Sequence, residues 1–322
     1  MHVHPAIAAL RANPGLQRRA QSRLDKAHKD WLTSGATQDL QNELLLYGEG
    51  AELEQLSCLQ TLITDHSMAD EMVRTHRHAM IKALRQEPLG EVPLRQTTSA
   101  GFSRLQLIKG GNAVLSLCAY EPAPYSGPPN LVQFADCELH ELVLAGGARG
   151  QFHQLNGRKA YRTLCSKSHH WRNGDTITCR ALRSTRQIVT VSETLLVLQL
   201  TRTPQSPLPT LELALPSGEK LRQISGDKKA SEQLMALGVL GALGDHEALT
   251  PMEHFAVECG NDEDARWEAV RQLIARDSER GMVLLDRLVQ QADDPLQTPA
   301  MRLRQQILDA YPILIKTPKG LQ

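Results

Sequence analysis

From Leu16 onward the apolar positions recur every three or four residues. Leu16, Ala20, Leu24, Ala27 and Trp31 share one helical face, opened by Asn13-Pro14-Gly15 and closed by Ser34-Gly35. Thr37 is placed to cap a second short helix carrying Leu40, Leu44 and Tyr47, which Gly48 would end. A third runs through Leu53, Leu56, Leu59 and Ile63. Ser67, with Asp70 three residues on, resembles a capping box for a fourth helix through Met72, His76, Met80 and Leu84. Pro88 and Pro93 break the pattern.

Between about 102 and 202 the period shortens to two. Strand-like runs fall at Arg104–Lys109, Ala113–Tyr120, Leu139–Ala145, Gln151–Leu155, Lys159–Leu164, Thr176–Ala181, Gln187–Val191 and Thr194–Thr201. Gly110-Gly111-Asn112 and Asn156-Gly157 are tight-turn sequences. So many short strands predict an antiparallel sandwich or barrel. Thr203 to Pro216 is a proline-rich connector with room for one more strand at Leu211–Leu215. Helical spacing returns from Ala230, through Leu234, Leu237, Leu240 and Leu243. Further helices are expected around Trp267, Val270 and Ile274, around Met282, Leu285 and Val289, and around Leu303, Ile307 and Tyr311. The expected class is α+β in three parts: helices over 1–95, a β-barrel over 96–225, and helices over 226–322.

Two resemblances sharpen this. Leu142-Val143-Leu144-Ala145-Gly146 looks like the strand and glycine turn that end the first cupin motif. Asn173-Gly174-Asp175, followed by Thr176-Ile177-Thr178, looks like the Gly-Asp turn that opens the second. The central block therefore resembles the cupin superfamily, which implies a double-stranded β-helix barrel. The family's metal centres use a His-x-His pair, a carboxylate and a further His. In this register the His-x-His slot falls near Gln133 and Ala135, and the second-motif His slot falls near Arg183 to Arg186. Neither slot holds an imidazole, so no cofactor is expected, and family-type dioxygenase chemistry lacks its ligands. Near the C-terminus, Asp262-Glu263-Asp264-Ala265-Arg266-Trp267-Glu268-Ala269-Val270 resembles the start of a HEAT-type helical repeat. Repeats of that type imply protein-binding scaffolds.

Charge changes the picture more than composition does. Lys+Arg and Asp+Glu both number 36 in 322 residues, so the net charge is zero. Yet Arg149 to Arg202 holds ten basic residues against Asp175 and Glu193, while Asp245 to Asp294 holds thirteen acids against five arginines. Either the oppositely charged parts neutralise one another, within a chain or between copies, or the arginines bind a small anion. Arginine suits the second role because its planar fork pairs two oxygens at once. The candidate ligand residues are Arg149, Arg162, Arg172, Arg183, Arg186 and His153. Nucleic acid is disfavoured, because base-stacking candidates in the basic block are limited to Phe152, Tyr161 and Trp171.

Six cysteines lie far apart, without a C-x-x-C pair, and read as free thiols of a reducing cytoplasm. No run approaches the roughly 18 apolar residues of a membrane span, and the N-terminus lacks a signal-peptide pattern. The loop expected at His169-His170-Trp171 could supply a titrating segment. Glu138 and His140 share a strand face and, with His153, form a candidate site for a divalent metal (Fe, Mn, Ni or Zn). The sequence thus points to a non-enzymatic binding or regulatory protein. It would take a small anionic ligand and associate with a protein partner or a second copy through its helices. The alternatives are a cupin-type metalloenzyme, of the dioxygenase or isomerase class, using Glu138, His140 and His153, and a pure interaction scaffold.

Overall fold

The computed structural model describes residues 13–122, 130–157 and 163–311, which form two compact units divided after Ile224. The first begins with helices α1 (Pro14–Leu32), α2 (Gly35–Glu49), α3 (Ser57–Leu62) and α4 (His66–Gln86). The Asn13 side chain accepts from the Gly15 N–H and Pro14 opens the first turn of α1, where its missing donor matters least. Two boundary expectations change. Asp65, not Ser67, caps α4, because its carboxylate accepts from both the Ser67 and Met68 N–H groups. Helix α2 runs past Gly48 to a left-handed cap at Gly50 (φ +114°). Gly48 serves a different need: any Cβ there would collide with the Gly110 carbonyl oxygen. Its glycine lets α2 approach the β-hairpin beneath it.

Among the described residues ten strands follow: β1 (Gln96–Ser99), β2 (Phe102–Gly110), β3 (Ala113–Tyr120), β4 (Leu131–Phe134), β5 (Glu138–Asn156), β6 (Thr163–Arg172), β7 (Thr176–Cys179), β8 (Ser184–Arg202), β9 (Thr210–Ala214) and β10 (Lys220–Ile224). They pair antiparallel into a seven-stranded sheet, ordered β1-β2-β3-β8-β5-β6 with β7 also on β5, and a three-stranded sheet, β10-β9-β4. The expected barrel does not close among the described residues: β1 and β6 remain edges of the larger sheet. The fold is a mixture of helices and antiparallel sheet.

β5 and β8 each join two runs that the residue pattern separates. In β5 glycine is the reason. At Gly146 the backbone takes φ +77°, and the β5–β8 register shifts repeatedly between Val143 and Gly150. These shifts are β-bulges, which bend a strand without ending it. The Leu142–Gly146 run is therefore a bulge inside a long strand, not the turn its resemblance implies. Asn173-Gly174-Asp175 does form a turn, with Gly174 at φ +83°, and it bonds back to Val143 through two backbone hydrogen bonds.

Successive side chains face opposite sides of the strands, which gives the sheet two environments. Leu142, Leu144, Leu198 and Leu200 share a core with Leu40, Leu44, Tyr47 and Leu59 of the helices. Val143, Val197, Cys118 and Cys179 share a second core with Ala148 and Trp171, from beyond the bend. Burying a side chain of leucine or valine size contributes about 1.5–3 kcal/mol, so both limbs are held by apolar packing.

The second unit contains α5 (Lys228–Leu243), α6 (Leu249–Val257), α7 (Glu263–Arg276), α8 (Ser278–Val289) and α9 (Gln297–Ala310). α7 packs against α5, α6 and α8, and α9 against α8. Asp262 caps α7 by accepting from Ala265 N–H. Arg266 is buried in this core. It donates to the Ala256 carbonyl (2.9 Å) and to the equally buried Asp294 carboxylate (2.5 Å). No described helix is long and apolar enough to cross a membrane.

Candidate functional site

Charged and polar side chains meet between the two limbs of the sheet. Glu141 is fully buried, and its ladder neighbour is Gln199, whereas Arg186 sits opposite Phe152 in the other limb. The ion pair between them therefore spans the bend. Arg186 Nε donates to Glu141 Oε2 at 2.6 Å, and a second guanidinium nitrogen donates to Oε1. Arg186 also donates to the Tyr120 hydroxyl at 2.7 Å, and Gln199 donates to Glu141 at 2.7 Å. Burial works against the guanidinium's charge, but the Glu141 carboxylate outweighs it and raises the Arg186 pKa. The sequence places Arg186 among the ligand-binding arginines. The structure instead commits it to Glu141, a partner 45 residues away in the chain.

Cys118 and Cys179 line the same interior. Burial pushes their thiols up, to about 11 and about 12. They are packed, protonated groups, not nucleophiles. All six cysteines are free.

The metal candidates do not converge: among the described residues no group of three His, Cys, Asp or Glu side chains could hold an ion. Glu138 accepts from the Tyr47 hydroxyl (3.1 Å) and from Arg202 (2.7 and 3.0 Å). The Arg202 guanidinium stacks 4.3 Å above the Tyr47 ring and also donates to the Tyr47 and Ala51 carbonyls. Glu138 thus belongs to a clasp between α2 and the sheet. His140 lies beside it, edge-on to Tyr47 and in contact with Thr178; burial lowers its pKa, against the pull of Glu138. His153 lies thirteen residues further along β5, past the bulges, bonded to Ser166 (2.7 Å) and Gln187 (3.2 Å). Both ring nitrogens of this buried imidazole are engaged, and burial depresses its pKa.

The expected basic surface survives in part. Arg149 is exposed and stands directly opposite His170 in the β5–β6 ladder, with Gln151 opposite Ser168 one rung on. Together with Gly150, His169, Val189 and Thr190 they line an open concavity of about 410 Å³. Arg149 has no ion-pair partner among the described residues. Arg172, at the end of β6, donates to His170 Nδ1 at 3.4 Å, at the long end of hydrogen bonding. Arg183 is exposed in the turn before β8. Arg162 and Tyr161 lie outside the described residues. The His169-His170-Trp171 segment is strand, not loop. Trp171 is buried against Ala148 while His169 and His170, on opposite faces of the strand, are both exposed, so Trp171 is unavailable for stacking on a base. The Ser166–His153–Gln187 contact has no local signal in the sequence. Only the register, which places Ser166 opposite His153, reveals it.

No protein-family model matches the chain, and no curated protein matches it in sequence. Among solved structures, the CENP-C cumin domain of Drosophila melanogaster is similar at 16% identity, over 34% of this chain and 72% of that one, with a TM-score of 0.26. A single-substitution variant of the oxalate decarboxylase of Bacillus subtilis is similar at 13% identity, over 40% and 30%, with a TM-score of 0.28. KdgF from Halomonas sp. is similar at 12% identity, over 34% and 89%, with a TM-score of 0.25. These are likenesses to cupin-fold proteins at low scores, and they bear on neither ligand nor chemistry.

Proposed function

We propose that the chain is a binding protein whose sheet takes a small anion, a carboxylate or phosphate, on its outer face at Arg149. One observation carries this reading: an exposed, unpaired arginine faces His170 across a ladder rung inside a concavity that also offers the Ser168 hydroxyl and the Gln151 amide. Those groups supply a charged fork and neutral donors at one spot. Glu141 and Arg186 neutralise each other between the limbs, which leaves neither free to hold a ligand there. Calorimetric titration with inorganic phosphate and with small dicarboxylates tests the reading. Arg149→Ala should weaken binding at least about tenfold, a loss on the scale of one charge-assisted hydrogen bond. Equal affinity in Arg149→Ala and the parent would overturn it.

A second reading concerns the helical unit, which carries the HEAT-like resemblance. Met235, Val239 and Leu243 sit one turn apart on α5 and are 69%, 57% and 74% exposed. An apolar ridge of this kind on an otherwise polar surface marks an association face. The opposite charge excesses of the basic strand block and the acidic helices favour a second copy of the chain as the occupant.

A further inference from the structure

The hydrogen bonds around His153 fix which of its nitrogens carries the proton. Gln187 Nε2 donates to the Leu131 carbonyl at 3.1 Å, so its amide oxygen must face His153. An amide oxygen only accepts, so His153 Nε2 carries the hydrogen. Nδ1 is then a bare lone pair, and the one group aimed at it is the Ser166 hydroxyl, 2.7 Å away. Ser166 must donate. The imidazole is wholly buried, while Ser166 is exposed on β6. The result is a hydroxyl on an exposed residue whose proton is already directed onto a fixed basic nitrogen, held by a third group. That is the arrangement by which a serine is made nucleophilic.

Two further features favour reaction there. β6 is an edge strand, with no strand on its outer side among the described residues, so alternate N–H groups point away from the sheet and can polarise a carbonyl oxygen. Ser168, one rung along at roughly 7 Å, belongs to the Arg149 concavity, which can seat the remainder of a substrate.

The geometry points to Ser166 as a self-acylating site that takes an acyl group from an activated ester. Ser166 Oγ attacks the ester carbonyl carbon. Its proton passes to His153 Nδ1, the new Oγ–C bond forms, and the C–O bond to the leaving alkoxide or aryloxide breaks. That leaving group then collects the proton, returning His153 to neutrality. Nothing is oxidised or reduced. The adduct should persist. Gln187 is neutral and stabilises an imidazolium far less than a carboxylate would. Once Ser166 is acylated, the buried Nδ1 has no exposed hydroxyl through which to activate water. Ser166 and His153 touch the reacting atoms; Gln187 is a positioning residue.

The experiment uses the full chain and p-nitrophenyl acetate. The expected result is a burst of p-nitrophenolate near one equivalent per chain, little turnover afterwards, and acetyl on Ser166 by peptide mapping. Ser166→Ala should remove the burst while the chain stays folded by circular dichroism, with a thermal midpoint lowered only by the loss of one partly buried hydrogen bond. His153→Gln should slow it about a hundredfold, the lower range of general-base assistance. If that variant fails to fold, Gln187→Leu serves instead: freeing the tautomer should slow the burst several-fold and alter its pH profile, which a merely structural role would not do. No burst in the parent, an undiminished burst in Ser166→Ala, or acetyl spread equally over Ser166, Ser168 and Lys167 would overturn the assignment. A preference for an anionic ester, such as a succinate monoaryl ester, rests on the Arg149 reading. Arg149→Ala should abolish that preference, and equal bursts from the anionic and the acetyl ester in the parent would overturn the Arg149 reading alone, so the two proposals fail separately.

Discussion

Arg186 reaches across the bend of the sheet to Glu141, and the two satisfy each other largely out of contact with solvent. Such a pair is strongly destabilising to break and much less so to replace whole, because removing one partner strands a charge out of water. Arg186→Met and Glu141→Gln should each cost about 3–5 kcal/mol. The double substitution should cost clearly less than their sum. Urea unfolding of the four proteins, analysed as a double-mutant cycle, checks this.

His76 predicts an acid limb in the stability curve. It is buried on α4, with its ring 4.6 Å from Trp31 and 5.6 Å from His28, and its Nε2 has no hydrogen-bond partner. Burial, and then the neighbouring His28, lower its pKa to about 4. The unfolded chain, near 6.5, binds this proton more readily than the folded one. Stability should therefore be complete above pH 6.5 and fall as the pH drops toward 4, by an amount on the order of 3 kcal/mol. Between pH 7 and 4 the thermal midpoint of the parent should fall more steeply than that of His76→Leu, which lacks the titrating group.

Gly146 should not accept a side chain. Its φ of +77° is strained for any other residue, and a Cβ would strike the Thr194 carbonyl oxygen. Gly146→Ala is expected to destabilise the first unit by at least about 2 kcal/mol. Gly174→Ala, with similar φ but open space around it, should cost less. Denaturant midpoints of the two variants give the comparison.

The α5 ridge makes a concentration-dependent prediction. If it joins two copies, Val239→Lys combined with Leu243→Ser should shift sedimentation from dimer to monomer at micromolar concentration. The thermal midpoint of the diluted protein should be unchanged, since both positions are exposed.

Much of this architecture is legible in the residue pattern. The three-and-four spacing locates α1, α2, α4, α7, α8 and α9, because each has one apolar face long enough to show its period. Misreadings arise where a residue type serves an unusual end. Gly146 reads as a turn but lies among bulges inside a strand, so β5 looks like two strands. Pro251 falls in the first turn of α6, where proline is tolerated, yet it hides that helix. β1, β4 and β10 span only four or five residues and carry almost no periodic signal. The candidate site is less accessible still. A basic excess is visible in the sequence, but what distinguishes Arg149 from Arg186 is the company of Glu141. The Ser166 contact exists only because His153 and Ser166 fall opposite one another in a register that no local rule sets.

The double-length β5 and β8 impose one more constraint. Each is read continuously through both walls, so inserting or deleting a single residue before Gly146 would invert every side chain beyond it, from inside to outside. Trp171's neighbours would turn to solvent and Arg186 would find Phe152 displaced from beside it. Changes in length should therefore be tolerated in the connections, such as the stretch before β9, and rejected within these two strands.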